Sequence, residues 1–282
     1  MTYMIPKISE YDFCGTNPEI EKYILKCGKL EIQMLQNDLF SSFENVKLVL
    51  NRYIDHLDYV CIHIPLSILN IDIIARSEYK TREFNLFINE IVRYSLQHDI
   101  ELDFLTHISE DWQDILDSNT ITLILNTLDM FGGTKVGLII ENGITRIDQD
   151  DGIQSTIERL FNTIHNPKFK VCIDVCHLQA SENATQKEIK LSENILKNIK
   201  NIHFSMTLDH DGYKDKIRTH GRKHGEIEDM QNDLRYLQYK GINLSSVNLV
   251  AEINEADYTK RPDLLHELRL YDLILRRGDS GD

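Results

Sequence analysis

The chain of 282 residues is 41% hydrophobic and 27% charged, an ordinary globular composition whose length suits one large barrel or two small domains. It has no uncharged apolar run of about 18 residues, and MTYMIPKISEYDF lacks a basic segment leading into an apolar core and cleavage site; the expected location is cytoplasmic. A net charge of −14, from 45 acidic and 31 basic residues, repels polyphosphate at long range and weighs against nucleic acid as the first-choice partner.

In chain order, short β-rich runs alternate with stretches of helical periodicity. A strand at Ile5–Ser9 precedes a helix at Glu19–Cys27, opened by Asn17-Pro18. Strand Leu30–Leu35 leads to helix Ser41–Asp55, and strand Tyr59–Ile64 to helix Tyr79–His98. Strand Leu102–Ile108 is followed by helix Asp111–Met130, which Gly132-Gly133 ends. Strand Val136–Glu141 pairs with helix Asp151–Thr163, and strand Lys170–Val175 with helix Gln186–Lys197. Strand Asn201–Met206 leads to helix Glu226–Tyr239, stopped by Gly241, and strand Val247–Ile253 to helix Pro262–Leu275. Regular strand–helix alternation implies parallel strands with crossover helices, and eight such units favour closure over an open sheet. The expected fold is α/β, a single (β/α)8 TIM barrel occupying residues 1–282 as one domain, with no linker or low-complexity segment to divide it.

The five cysteines, Cys14, Cys27, Cys61, Cys172 and Cys176, form no CxxC pair and read as reduced thiols. Strand alternation makes Cys172 and Cys176 core residues in preference to metal-reactive ones. Trp112, the only tryptophan, lies just beyond His107 in HISEDW and is read as the start of the next helix rather than a pocket wall.

The strands do not explain their own last residues. Catalytic groups of a barrel project from the C-terminal strand ends, and here those ends carry His63, His107, Glu141, Asp174 with His177 three residues on, His203 and Glu252. Each alone has a bland reading, as a solvated strand terminus or a loop cap. Six consecutive strands delivering a carboxylate or imidazole to one rim do not. Two Glu, one Asp and one His suit a hard or borderline divalent ion such as Mn²⁺, Mg²⁺, Co²⁺ or Zn²⁺. His63, His107 and His177 extend the set toward a second ion, with Glu141 as a bridge.

VGLIIEN, KVCIDVCHL, NIHF and VNLVAEI together resemble the superfamily that joins endonuclease IV to the xylose isomerase-like sugar isomerases and epimerases. The resemblance implies one metal held by Glu141, Asp174, His203 and Glu252, with His177 contacting substrate in the epimerase branch and binding a further metal in the endonuclease branch. It implies a metal cofactor of one to three ions, Mn²⁺ or Zn²⁺, with His63, His107, His177 and His220 as additional ligands. CIHIPLSILNID and IDVCHL lean toward endonuclease IV. Against it, Ile217-Arg218-Thr219 stands where the nuclease has Asp-Arg-His, with His220 or His224 as substitutes, and Leu66 replaces an aromatic. QNDLFSSF and GITRID also lack the nuclease's DNA-inserting and Gln-containing loops, and no wedge side chains are found.

The expected function is therefore a sugar or sugar-phosphate isomerase or epimerase. Glu141 and Glu252 are its paired acid and base, and His177 and Arg218 orient substrate hydroxyls or a phosphate. The alternative is an endonuclease IV-type zinc phosphodiesterase acting on abasic sites in DNA. The expected partner is a small molecule, DNA entering only under the alternative; no membrane partner is expected, and oligomeric state stays open.

Overall fold

Apolar runs bounded by turn residues become the strands of the computed structural model, which describes residues 3–36, 38–64, 70–107, 117–143, 152–206, 222–253 and 260–279. The strands are β1 (Ile5–Ser9), β2 (Lys29–Gln33), β3 (Tyr59–His63), β4 (Glu101–His107), β5 (Val136–Glu141), β6 (Phe169–Asp174), β7 (Ile199–Phe204) and β8 (Asn248–Ala251). They close into a parallel barrel in sequence order, β8 pairing with β1 through Ile5–Val250 and Pro6–Ala251. Around it lie α1 (Pro18–Cys27), α2 (Leu39–Leu50), α3 (Ile71–Ala75), α4 (Glu78–His98), α5 (Ser118–Met130), α6 (Gly152–Thr163), α7 (Val175–Thr185), α8 (Glu193–Asn198), α9 (Ile227–Tyr239) and α10 (Pro262–Asp279). The expected (β/α)8 architecture is present. Among the described residues, no helix is long and apolar enough to cross a membrane.

Local chemistry sets the helix ends. The Asn17 side chain accepts from Glu19 N at 2.9 Å, Pro18 occupies the first turn, and Gly28 closes α1 at φ 66°, a conformation open to glycine at little cost. α2 starts two residues earlier than expected, Asp38 capping it by accepting from Ser41 N at 2.7 Å, and ends five residues earlier, at Leu50, where the chain turns into a short 3-10 helix at Ile54–His56. Of the helix expected at Gln186–Lys197 only the end forms, as α8, and an unexpected helix, α7, precedes that range. Gln186 terminates α7 in the left-handed conformation, and α7 begins directly at the strand end because Asp174 caps it. Its apolar residues Val175, Cys176 and Leu178 crowd into the first turn and leave no long periodic stripe to read. The start of the helix expected from Asp111, and Trp112, lie outside the described residues.

The barrel has two apolar cores. One packs the outer strand faces against the helices; the other fills the interior with Ile5, Tyr59, Cys61, Leu105, Ile139, Cys172 and Val250. Cys172 is thus a core residue, as expected, and Cys176 is buried with its thiol near Ser205 O at 3.3 Å. Beneath the interior core, at the N-terminal strand ends, a register shift between β6 and β7 passes over Lys200, whose ammonium meets the buried Asp103 carboxylate at 2.5 Å. Above it, alternation along every strand aims the next inward residues at the C-terminal rim.

Candidate metal centre

The rim is assembled by strand alternation alone. β5 ends on Glu141, β6 on Asp174 and β3 on His63, β4 ends on His107, β7 carries His203, and Glu252 follows β8. One ligand atom from each of Glu141, Asp174, His203 and Glu252 lies within 4.8 Å of the others, and His63, His107 and Glu141 form a second such group. His203 Nδ1 sits between two carboxylates, 2.7 Å from Glu252 Oε2 and 3.2 Å from Glu141 Oε2. His63 Nε2 meets His107 Nε2 at 2.7 Å, and both imidazoles reach toward Glu141 Oε2, at 3.5 and 3.6 Å.

Asp174 has two roles, one for each oxygen. Its Oδ1 accepts from His177 N at 2.9 Å and caps α7; its Oδ2 faces His177 Nε2 at 3.7 Å. The cap that the bland reading gave to a loop is thus the cap of a helix. Asn142 locks the two strand ends together, receiving Asp174 N at 2.6 Å, and its backbone oxygen takes His177 Nδ1 at 2.7 Å. That bond puts a ring hydrogen on Nδ1, and the Asp174 and Glu141 carboxylates, outweighing burial, raise the ring's basicity.

Electrostatics follow from burial. Burial drives the His107 imidazole down to about 3 despite the pull of Glu141, and burial together with the Lys7 ammonium lowers His63. For His203, burial disfavours the charge but Glu252, Glu31 and Glu141 outweigh it, so its basicity is raised. Burial would raise Glu141, yet His107 and His203 hold it below the usual carboxylate range, whereas at Asp174 burial prevails and raises it.

The donor set fits a divalent ion. Buried Glu141 Oε2, Glu252 Oε2 and both nitrogens of His203 have no partner in hydrogen-bond geometry among the described residues, although they lie within a few ångströms of each other. Unsatisfied polar atoms cost about 1–3 kcal/mol each in a protein interior, and convergent carboxylate and imidazole lone pairs are what a divalent cation satisfies.

No protein-family model matches the chain, and no curated protein matches it either. Solved structures do. A D-tagatose 3-epimerase-like protein superposes with a TM-score of 0.60 at 15% identity, covering 98% of this chain and 99% of that one. A xylose isomerase domain-containing protein from Salmonella typhimurium LT2 gives 0.60 at 15% identity, over 96% of this chain and 97% of the other. What the chain shares with both is the (β/α)8 barrel fold. SacUVDE shares it, with a TM-score of 0.56 at 12% identity over 98% and 99% of the two chains. At these identities the likeness is one of fold.

Within the barrel, seven rim residues expected from sequence come together: His63, His107, Glu141, Asp174, His177, His203 and Glu252. Arg218 and His220 lie outside the described residues. His224 does not join them. Its Nδ1 is 2.6 Å from Glu267 and its Nε2 3.0 Å from Asp233, and its ring stacks on Phe204. Two charged neighbours of the cluster were not foreseen. Lys7 from β1 and Glu31 from β2, register partners, have side chains 7% and 0% exposed, and the ammonium lies 3.3 Å from Glu31 Oε1 and 2.5 Å from Glu252 Oε1. The signal was there in IPKIS and LEIQ: a charge in the middle of a strand buried on both faces must be paired.

Proposed function

We propose that the protein is a divalent-metal-dependent isomerase or epimerase of a sugar or sugar phosphate, using Mn²⁺ or Zn²⁺ at Glu141, Asp174, His203 and Glu252. The observation that carries this reading is the convergence of the two glutamates on His203 Nδ1, at 2.7 and 3.2 Å. Glu252, 24% exposed against 2% for Glu141, faces the mouth of the site. A bound ion would supply Lewis-acid polarisation of two adjacent substrate oxygens.

Lys7 anchors Glu252 Oε1 at 2.5 Å and leaves Oε2 directed inward, so Glu252 is positioned to take the carbon-bound proton at that oxygen. Glu141 takes up a proton from solvent and delivers it to the same or the neighbouring carbon, and Glu252 releases the abstracted proton to solvent, which resets the pair. His177, its Nδ1 committed to Asn142 O, offers Nε2 to a substrate hydroxyl; Arg218 is the proposed partner of a substrate phosphate. The first-named neighbour, a D-tagatose 3-epimerase-like protein, makes ketohexoses the class to try first.

One observation favours a second reading, an endonuclease IV-type phosphodiesterase. His63, His107 and Glu141 form another potential ion position that shares Glu141 with the first, the arrangement a two-ion hydrolase uses. The deciding experiment incubates the metal-loaded protein with ketohexoses and their phosphates in D₂O and follows carbon–hydrogen exchange by NMR. Exchange that Glu252→Gln abolishes supports the isomerase. Nicking of an abasic-site duplex at low salt, with no exchange on any sugar, overturns it.

A further inference from the structure

We infer that Lys7 and Glu31, at the floor of the site, grade its two ion positions, keeping the one at Glu141, Asp174, His203 and Glu252 open and holding the one at His63, His107 and Glu141 closed by a hydrogen bond. The inference rests on the metal-centre part of the reading above, not on the reaction.

An ammonium is a donor only. Lys7 Nζ has three acceptors for its three hydrogens, His63 Nδ1 at 2.6 Å, Glu252 Oε1 at 2.5 Å and Glu31 Oε1 at 3.3 Å. With Lys7 donating to Nδ1, the ring hydrogen of His63 must reside on Nε2. That is the nitrogen facing His107 Nε2 at 2.7 Å, so His63 donates there and consumes the lone pair of His107 as well. Both nitrogens that would ligate an ion beside Glu141 are then tied up in one N–H···N bond. Opening the position means moving the hydrogen to His63 Nδ1. Glu31 Oε1 waits for it at 3.3 Å, but the Lys7 ammonium, nearer at 2.6 Å, becomes a donor facing a donor.

The same carboxylate makes no such bond with His203. Glu31 Oε1 lies 2.9 Å from Nε2, at ion-pair distance but outside hydrogen-bond geometry, and Glu141 and Glu252 converge on Nδ1, which faces the carboxylates that would share an ion with it. Stacking of the His63 and His203 rings, centroids 5.1 Å apart, keeps both in register above the Glu31 oxygen. Lys7 also offsets part of the charge of four clustered carboxylates, Glu31, Glu141, Asp174 and Glu252, and so lowers the demand for a second dication. The wild-type chain is accordingly a one-ion protein with a weak second position, and Lys7 is what makes it so.

Two measurements test this without reference to turnover. Long-range ¹H–¹⁵N NMR of the metal-free wild type reads the His63 tautomer directly: hydrogen on Nε2 is expected, and hydrogen on Nδ1 overturns the inference. Titration with Zn²⁺ or Co²⁺ by calorimetry, with metal content after desalting, is then compared between wild type and Lys7→Met. The wild type keeps one ion per chain. Lys7→Met keeps two, its second-site affinity at least tenfold higher, and His63→Gln in that background removes the gain. Two ions retained by the wild type, or an unchanged second-site affinity in Lys7→Met, refutes it. A protein that binds one ion as described yet exchanges no sugar proton sinks the isomerase reading alone.

Discussion

His224 offers a quantitative test of how the chain around the site is held. Its imidazole is buried between Glu267 at 2.6 Å and Asp233 at 3.0 Å, and its backbone N–H donates to Glu267 at 2.9 Å. It thereby ties the chain before α9 to both α9 and α10. Burial opposes the charged ring, but hydrogen bonds to Asp233 and Glu267 outweigh it and raise its pKa from 6.5 to about 9. A folded-state pKa above the unfolded value means that the stabilisation is complete below about 6.5 and is lost as pH rises through about 9. At 1.36 kcal/mol per unit the shift is worth about 3 kcal/mol, in line with the 3–5 kcal/mol cost of breaking a buried pair. Replacing His224 with Gln keeps a donor but removes the charge. Calorimetric melts of wild type and His224→Gln at pH 6 should differ by roughly 6 °C, at about 2 °C per kcal/mol for a chain of this size. By pH 10 the gap should shrink to the roughly 1 kcal/mol of a neutral hydrogen bond. A gap that stays constant across the range, or a His224 ring titrating at an ordinary midpoint by NMR, would refute the clamp.

Three further outcomes follow from the geometry. A Cβ built on Gly137 would collide with Asp103 Oδ1 and lie 3.2 Å from Lys168 O, so Gly137→Ala should cost about 1–3 kcal/mol by overpacking; urea unfolding measures it, and Asp103→Ala in the same chain should recover part of the loss. Glu141→Gln and Glu252→Gln should each reduce sugar proton exchange about 10²–10⁴-fold, the usual worth of a general acid or base, while far-UV circular dichroism stays unchanged. Divalent ion at a hundredfold excess over its dissociation constant should add about 2.7 kcal/mol of stability; a melting temperature indifferent to Zn²⁺ and EDTA would count against the donor set.

Strand-end chemistry was legible because a barrel obliges successive strands to deliver their last inward residues to one rim. Val136–Glu141 was read to the residue because an apolar run ends abruptly in a charge. α7 was missed for the reverse reason: its cap is the same Asp174 that serves the site, and a helix starting without a loop has no punctuation to betray it. α3, with its five residues, is too short for a period to show. Lys7 and Glu31 were passed over because a single charge in a strand of five residues looks like a solvent-facing position, although a closed barrel buries both strands on both faces.

The central claim is that the rim cluster holds a catalytic divalent ion between Glu141 and Glu252. An anomalous-scattering map from crystals soaked in Mn²⁺ tests it most directly. The account predicts a full-occupancy peak within about 2.0–2.3 Å of oxygen or nitrogen atoms of Glu141, Asp174, His203 and Glu252. A peak ligated elsewhere, or an empty cluster at saturating metal, would contradict it.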